Sequence, residues 1–388
     1  MLSAMAMLVA FCTACASSWK KNQASKNVVL EAMNRQVNAL SKWRTLDFLG
    51  LGMGEFYTFK LMNNIRVVVA LRGVAALAVA LFHIVCAPIG FMDDPAIRSL
   101  FVKGASGVQM FFIISGLVIP LSLIRTNFQI NRLGRFMLKR TIRIEPTYLA
   151  MIALSMGFIA LREFLLQDGG IAFPSARDFF LNVTYLVPFF DAEWINPVFW
   201  TLGVELQYYL LIALVWPLAR KLSHPIWLLL LPLLGLLGRE YTTNEFITHW
   251  VQFFNIGIVL ALYLTHRINR KVFLVVEVLC LGCIFYGWGL FYASLATATL
   301  AVIYIFPQKT GGRVFQFIGE QSYSLYLIHG LTGCTTVNLA MRFIPMDHGW
   351  QKIVVVLLAV VVSLISAQLL FLLVERPTMK RSKRINLN

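Results

Sequence analysis

Val67-Val68-Val69-Ala70-Leu71-Arg72-Gly73-Val74-Ala75-Ala76-Leu77-Ala78-Val79-Ala80-Leu81-Phe82-His83-Ile84-Val85-Cys86 is an apolar run broken by two ionisable residues. As a helix it covers about 30 Å, the thickness of a bilayer's hydrocarbon core. Arg72 and His83 are eleven residues apart, close to three whole turns, so they project from one helix face ~16 Å apart along the axis. Gly73, Ala76 and Ala80 on or beside that face are small, which lets another helix or a slender ligand approach closely. An ionisable group in hydrocarbon costs several kcal/mol unless it faces a polar interior, so both residues are site candidates.

The rest of the chain repeats the pattern. It has 388 residues, of which 59% are hydrophobic and 13% charged, with mean hydropathy +0.73. With that first run, ten apolar segments lie near 66–86, 101–124, 145–166, 198–219, 225–238, 246–265, 272–287, 288–306, 315–340 and 352–374. The expected fold is all-α: a polytopic integral membrane helical bundle of about ten transmembrane helices. The net charge of +16 is concentrated in short connections, which argues against a nucleic-acid-binding face. Arg125, Arg132, Arg135, Lys139, Arg140 and Arg143 follow the second segment, Arg220 and Lys221 the fourth, His266, Arg267, Arg270 and Lys271 the sixth, and Lys309 and Arg313 the eighth. Each even-numbered exit is basic, so both termini are expected in the cytoplasm. Asp168, Asp178, Asp191, Glu193, Glu240 and Glu245 occupy the opposite connections.

Residues 62–378 form the expected transmembrane domain, followed by a basic tail at 379–388. Residues 1–61, with a short apolar stretch and then Lys, Asn and Gln, read as an extension without assigned function. The six cysteines lack the partners of a zinc site, and no metal is expected.

Other polar residues fall inside the segments. Glu205 lies about two turns into the fourth, at a level His83 reaches, and a carboxylate beside an imidazole fixes its tautomer and supports its protonated form. Ser322, Tyr326 and His329 share a face of the ninth, as a catalytic stripe or as interhelical hydrogen bonding. Arg140 and Arg143, spaced i, i+3, form on a helix a paired guanidinium site for a phosphate or for anionic lipid. Glu277 has no such company and reads as structural.

Six stretches in order carry a resemblance: Arg72-Gly73 with Ala75, Ala76 and His83; 107–116, with Ser115; Lys139-Arg140 to Pro146 and Tyr148; 199–202 to Glu205 and Tyr208; 322–329; and Glu375-Arg376-Pro377. Together they resemble acyltransferase family 3, bacterial multi-pass membrane O-acyltransferases that act on surface glycans. Met110, Ile114 and Gln109 vary from the pattern, and Glu145 adds an acid near the cationic pair.

The resemblance implies an acyl-coenzyme A donor, usually acetyl, as substrate rather than a permanently bound cofactor. It also implies a glycan or lipid-linked glycan acceptor, membrane lipid as surroundings, and the bacterial inner membrane as location. It places Arg72, Arg140 and Arg143 on the donor's phosphates, His83 and Glu205 at the chemistry, and Ser115, Tyr326 and His329 along the substrate. In the expected mechanism the pantetheine arm runs along the small-residue face of the first segment, and Glu205 polarises His83. A proton-coupled transporter or flippase is the main alternative and a non-catalytic scaffold a third. No internal repeat of the kind many transporters carry is visible.

Overall fold

The computed structural model describes residues 65–166, 172–219 and 227–385. The segment 1–61, Asp168, Arg220 and Lys221 lie outside them. Among the described residues the chain is helical, with no strand. The α-helices are α1 (Arg66–Cys86), α2 (Pro95–Val102), α3 (Gly107–Arg125), α4 (Leu133–Leu166), α5 (Ala176–Val183), α6 (Trp200–Ala219), α7 (Trp227–Tyr241), α8 (Ile247–Leu264), α9 (Arg270–Trp288), α10 (Leu290–Ile305), α11 (Arg313–Glu320), α12 (Ser322–His329), α13 (Thr335–Phe343), α14 (Gly349–Leu370) and α15 (Arg376–Lys383).

Seven helical stretches among the described residues are long and apolar enough to cross a membrane. Their outward faces carry Leu214, Val278, Leu357, Val361 and Ile365, all exposed, which hydrocarbon favours and water does not. The other three expected crossings are helical too but fall short by this measure. α7 and α10 have 15 and 16 residues, or about 24 Å at most. The ninth breaks at Gln321 and again at a π turn over Gly330–Cys334.

The cationic stretch expected between two spans is instead the start of α4, which runs for 34 residues straight through Pro146. Arg, Lys, Leu and Met are good helix formers, so nothing before Pro146 stops the helix. Pro146 removes one backbone hydrogen bond without ending it. Arg140 and Arg143 therefore sit one turn apart on a rigid element.

Glycines set the closest helix crossings. A Cβ on Gly257 of α8 would lie 2.1 Å from the Ile113 carbonyl oxygen, and one on Gly116 of α3 would lie 2.1 Å from that of Phe254. Beside this crossing Phe112 stacks on Phe254 and Phe254 on Tyr208. Gly73 of α1 meets Gly319 of α11, where a Cβ on Gly319 would lie 1.9 Å from the Val69 carbonyl oxygen. The small-residue face of α1 is thus closed by helix packing, with Ala76 and Ala80 buried. It is not the channel for a slender ligand that the sequence reading expected, because van der Waals packing between backbones already fills that space.

Candidate active site

α1, α3, α4, α6 and α12 enclose a cavity of about 120 Å³. Arg72, Arg140 and Arg143 line one part of its wall, and Ser115, Thr201, Glu205, Ser322, Tyr326 and Glu375 line much of the rest. Six of the eight residues singled out from sequence therefore share one cavity. The Arg140 side chain is buried between the rings of Phe136 and Tyr209, each centroid 5.5 Å from its guanidinium carbon, and its Nε has no hydrogen-bond partner among the described residues. A buried guanidinium N–H without an acceptor is costly, and an anion in the cavity would satisfy it.

Two carboxylates face these cations, and each is held in place. Glu205 Oε1 accepts from Ser115 Oγ at 3.0 Å and from the Tyr209 hydroxyl, which lies one turn along α6. Glu375 Oε2 accepts from the Ser324 amide at 3.1 Å and the Ser324 hydroxyl at 2.6 Å. Glu375 closes a second π turn, Phe371–Glu375. Both π turns thus adjoin site residues, as such turns often do. Tyr326 and Thr201 share a 2.8 Å hydrogen bond that joins the α12 wall to the α6 wall.

His329 lies one turn beyond Tyr326 and is fully buried, while His83 is half-buried. His329 Nε2 is 3.0 Å from His83 Nδ1, with ring centroids 4.9 Å apart. His329 Nδ1 is 3.1 Å from the Leu325 carbonyl oxygen, and His83 Nδ1 is 3.1 Å from that of Val79. A carbonyl only accepts, so among neutral rings one proton arrangement leaves no lone pair against a carbonyl. His329 carries its proton on Nδ1 and donates it to Leu325. His83 carries its proton on Nδ1 and shares it between Val79 and the free lone pair of His329 Nε2. The consequence is that Nε2 of His83 holds an available lone pair, the form a general base needs.

This corrects the expected pairing of His83 with Glu205. His83 faces α12, whereas the hydrogen bonds of Glu205 go to α3 and along α6. Sequence showed both residues at one depth, but a helix's rotation about its own axis decides which neighbour a side chain meets. Glu145 lines a smaller pocket with Tyr185 that adjoins the main cavity through Arg140, Ile144, Leu202, Glu205 and Tyr209, which line both. Glu277 is buried on α9 outside the cavity, with both oxygens unpartnered among the described residues.

Sequence reasoning quoted Glu375 only as part of a motif and gave Tyr209 and Thr201 no role. Tyr209 stands four residues after Glu205, a spacing that puts it on the same face. Glu375 offered no local signal, since its partners come from a helix some fifty residues away.

No curated protein and no solved structure matches the chain. A family model described as an acyltransferase domain matches residues 68–372. The match runs from the cavity wall at Val68 past His329 and covers most of the chain, which therefore belongs to acyltransferase family 3.

Proposed function

We propose that this membrane acyltransferase moves an acyl group, acetyl by family expectation, from acyl-coenzyme A to a hydroxyl of a surface or exported glycan. In this reading the bundle crosses the bacterial inner membrane ten times with both termini in the cytoplasm. The observation that carries the chemistry is the His83–His329 hydrogen bond, which leaves His83 Nε2 free to accept a proton.

The donor's phosphates meet Arg72, Arg140 and Arg143, and its thioester extends towards Tyr326 and the histidine pair. As the acceptor oxygen attacks the thioester carbonyl carbon, His83 Nε2 takes the hydroxyl proton. The imidazolium that forms keeps its Nδ1–H on His329. Collapse of the tetrahedral centre breaks the carbon–sulfur bond, and the thiolate leaves as the free thiol with the proton from His83. Ser115, Glu205 and Tyr209 hold the cavity wall beside the acyl group.

The test is transfer from labelled acetyl-coenzyme A by purified protein in nanodiscs. Arg143→Ala is expected to raise the apparent KM for acetyl-coenzyme A by about tenfold or more, the scale of one charge-assisted hydrogen bond, with a smaller change in kcat. An unchanged KM would remove Arg143 from the donor site. His329→Leu is expected to lower kcat and leave that KM in place, while His329→Gln, whose amide oxygen accepts from His83 Nδ1–H, recovers part of the loss. Equal loss in both variants would make His329 a packing residue only. Absence of any acyl-coenzyme A binding by the wild type would favour transport instead.

A further inference from the structure

The active-site cavity continues on one side and ends on the other. Through Val68, Val118, Arg140 and Arg143 it adjoins a second cavity of about 280 Å³, which α15 lines with Met379, Ser382 and Lys383. At the opposite end its lining stops at Val108, Phe111, Thr201 and Tyr326. Neither His83 nor His329 is part of that lining, although His329 lies one turn beyond Tyr326. A layer of side chains therefore stands between the cavity and the histidine pair.

Phe111 and Tyr326 make that layer. Their ring centroids are 5.8 Å apart with the planes at 77°, the edge-to-face contact that aromatic rings prefer. Tyr326 is also tied at its far end. Its hydroxyl is 2.8 Å from Thr201 Oγ1, which itself donates to the Val198 carbonyl oxygen at 3.0 Å, so the tyrosine supplies the proton between the two hydroxyls. A ring anchored to its own helix at one end and to α6 at the other has little freedom to swing aside. Phe112, next in sequence, stacks on Phe254 in the core between α3 and α8, whereas Phe111 is half-buried at the cavity's end. Shortening Phe111 thus enlarges the cavity without removing the stacking that joins α3 to α8.

We propose that Phe111, braced by Tyr326, is the end wall of the acyl-binding part of this cavity and restricts the donor to short acyl groups. The proposal rests on the acyl-coenzyme A reading and adds to it the residue that sets acyl length. With the donor's phosphates at the arginines and its thioester extended towards Tyr326, the acyl group is the part of the donor that meets Phe111. At roughly 10–15 Å³ for each water-sized group, the 120 Å³ of the cavity hold about ten such groups, and the thioester with the adjoining part of its arm takes up most of that room. The extra methylenes of a butyryl group would have to displace the Phe111 ring, and overpacking against a ring that is held in place is unfavourable. An acetyl group stops short of it.

The full chain is placed in nanodiscs with labelled acetyl-coenzyme A, which is displaced by unlabelled acetyl-, propionyl- and butyryl-coenzyme A. The wild type, Phe111→Ala and Phe111→Leu are compared, and free coenzyme A, which has no acyl group, gauges the binding-competent fraction of each preparation. In the wild type butyryl-coenzyme A is expected to bind about tenfold or more weaker than acetyl-coenzyme A, the scale on which a pocket rejects an added methylene, with propionyl in between. Phe111→Ala is expected to raise the affinity for butyryl relative to acetyl by about tenfold or more, and Phe111→Leu by less. The wall is overturned if the wild type binds the three thioesters alike. It is overturned equally if the variants keep the wild-type ratio of acetyl to butyryl affinity, which would make Phe111 a packing residue. Should Phe111→Ala fail to fold, the ratio in Phe111→Leu decides in the same way. A wild type that binds no coenzyme A thioester would instead sink the donor reading beneath the proposal.

Discussion

Replacing His83 by Ala is expected to lower acyl transfer by roughly 10²–10⁴-fold, the range for removal of a general base, while acetyl-coenzyme A still binds. The expectation follows from the hydrogen-bond chain. Leu325 fixes the proton of His329 on Nδ1, His329 then accepts from His83 Nδ1, and His83 Nε2 is left as the basic nitrogen. Alanine removes that nitrogen but none of the arginines. Loss of activity with donor binding intact, measured by turnover and by direct binding on the same preparation, is the signature of a group that acts only in the chemical step. Full activity in a folded His83→Ala protein would show that another group takes the proton. Parallel loss of donor binding would show that His83 organises the bundle instead.

Gly257→Leu is expected to prevent assembly of the bundle, a larger effect than any cavity substitution has on the fold. The first added carbon would sit 2.1 Å from the Ile113 carbonyl oxygen and 2.4 Å from the Leu117 nitrogen. Overpacking costs roughly 1–3 kcal/mol where side chains can shift, and more when, as here, the obstacle is the backbone of a facing helix. Ser115 stands on α3 next to Gly116, so parting α3 from α8 also disturbs the contact that holds Glu205. Gly282→Leu on α9 is the control, because a Cβ there meets nothing within 4 Å and the position is exposed. Size-exclusion profiles and thermal unfolding in detergent should show aggregation or a strongly lowered Tm for the first and little change for the second. Equal behaviour of the two would mean the α3–α8 crossing is looser than its geometry.

The sequence was informative where one residue type breaks a strong local rule. Arg72 and His83 stand out because charge and imidazole are expensive in an apolar helix, and Ser322, Tyr326 and His329 because they recur on one face. It was less informative about partners. Glu205 offered no way to distinguish His83 from Ser115 and Tyr209 as its neighbour, since depth along the bilayer was legible and rotation about the helix axis was not. Glycines at 73, 116, 257 and 319 looked like ordinary members of apolar runs until their facing backbones were in view.

By itself, then, the sequence determined that this is a helical membrane protein and which side chains are too costly in hydrocarbon to be accidental. Those properties depend on local composition and on a 3.6-residue period. The tertiary structure alone decided that six of the expected site residues share one cavity, that His83 meets His329, that Glu375 joins the cavity wall, and that α15 lines a second cavity beside it. These contacts join residues tens to hundreds of positions apart, and they depend on how each helix is rotated and how closely glycine lets it approach its neighbour.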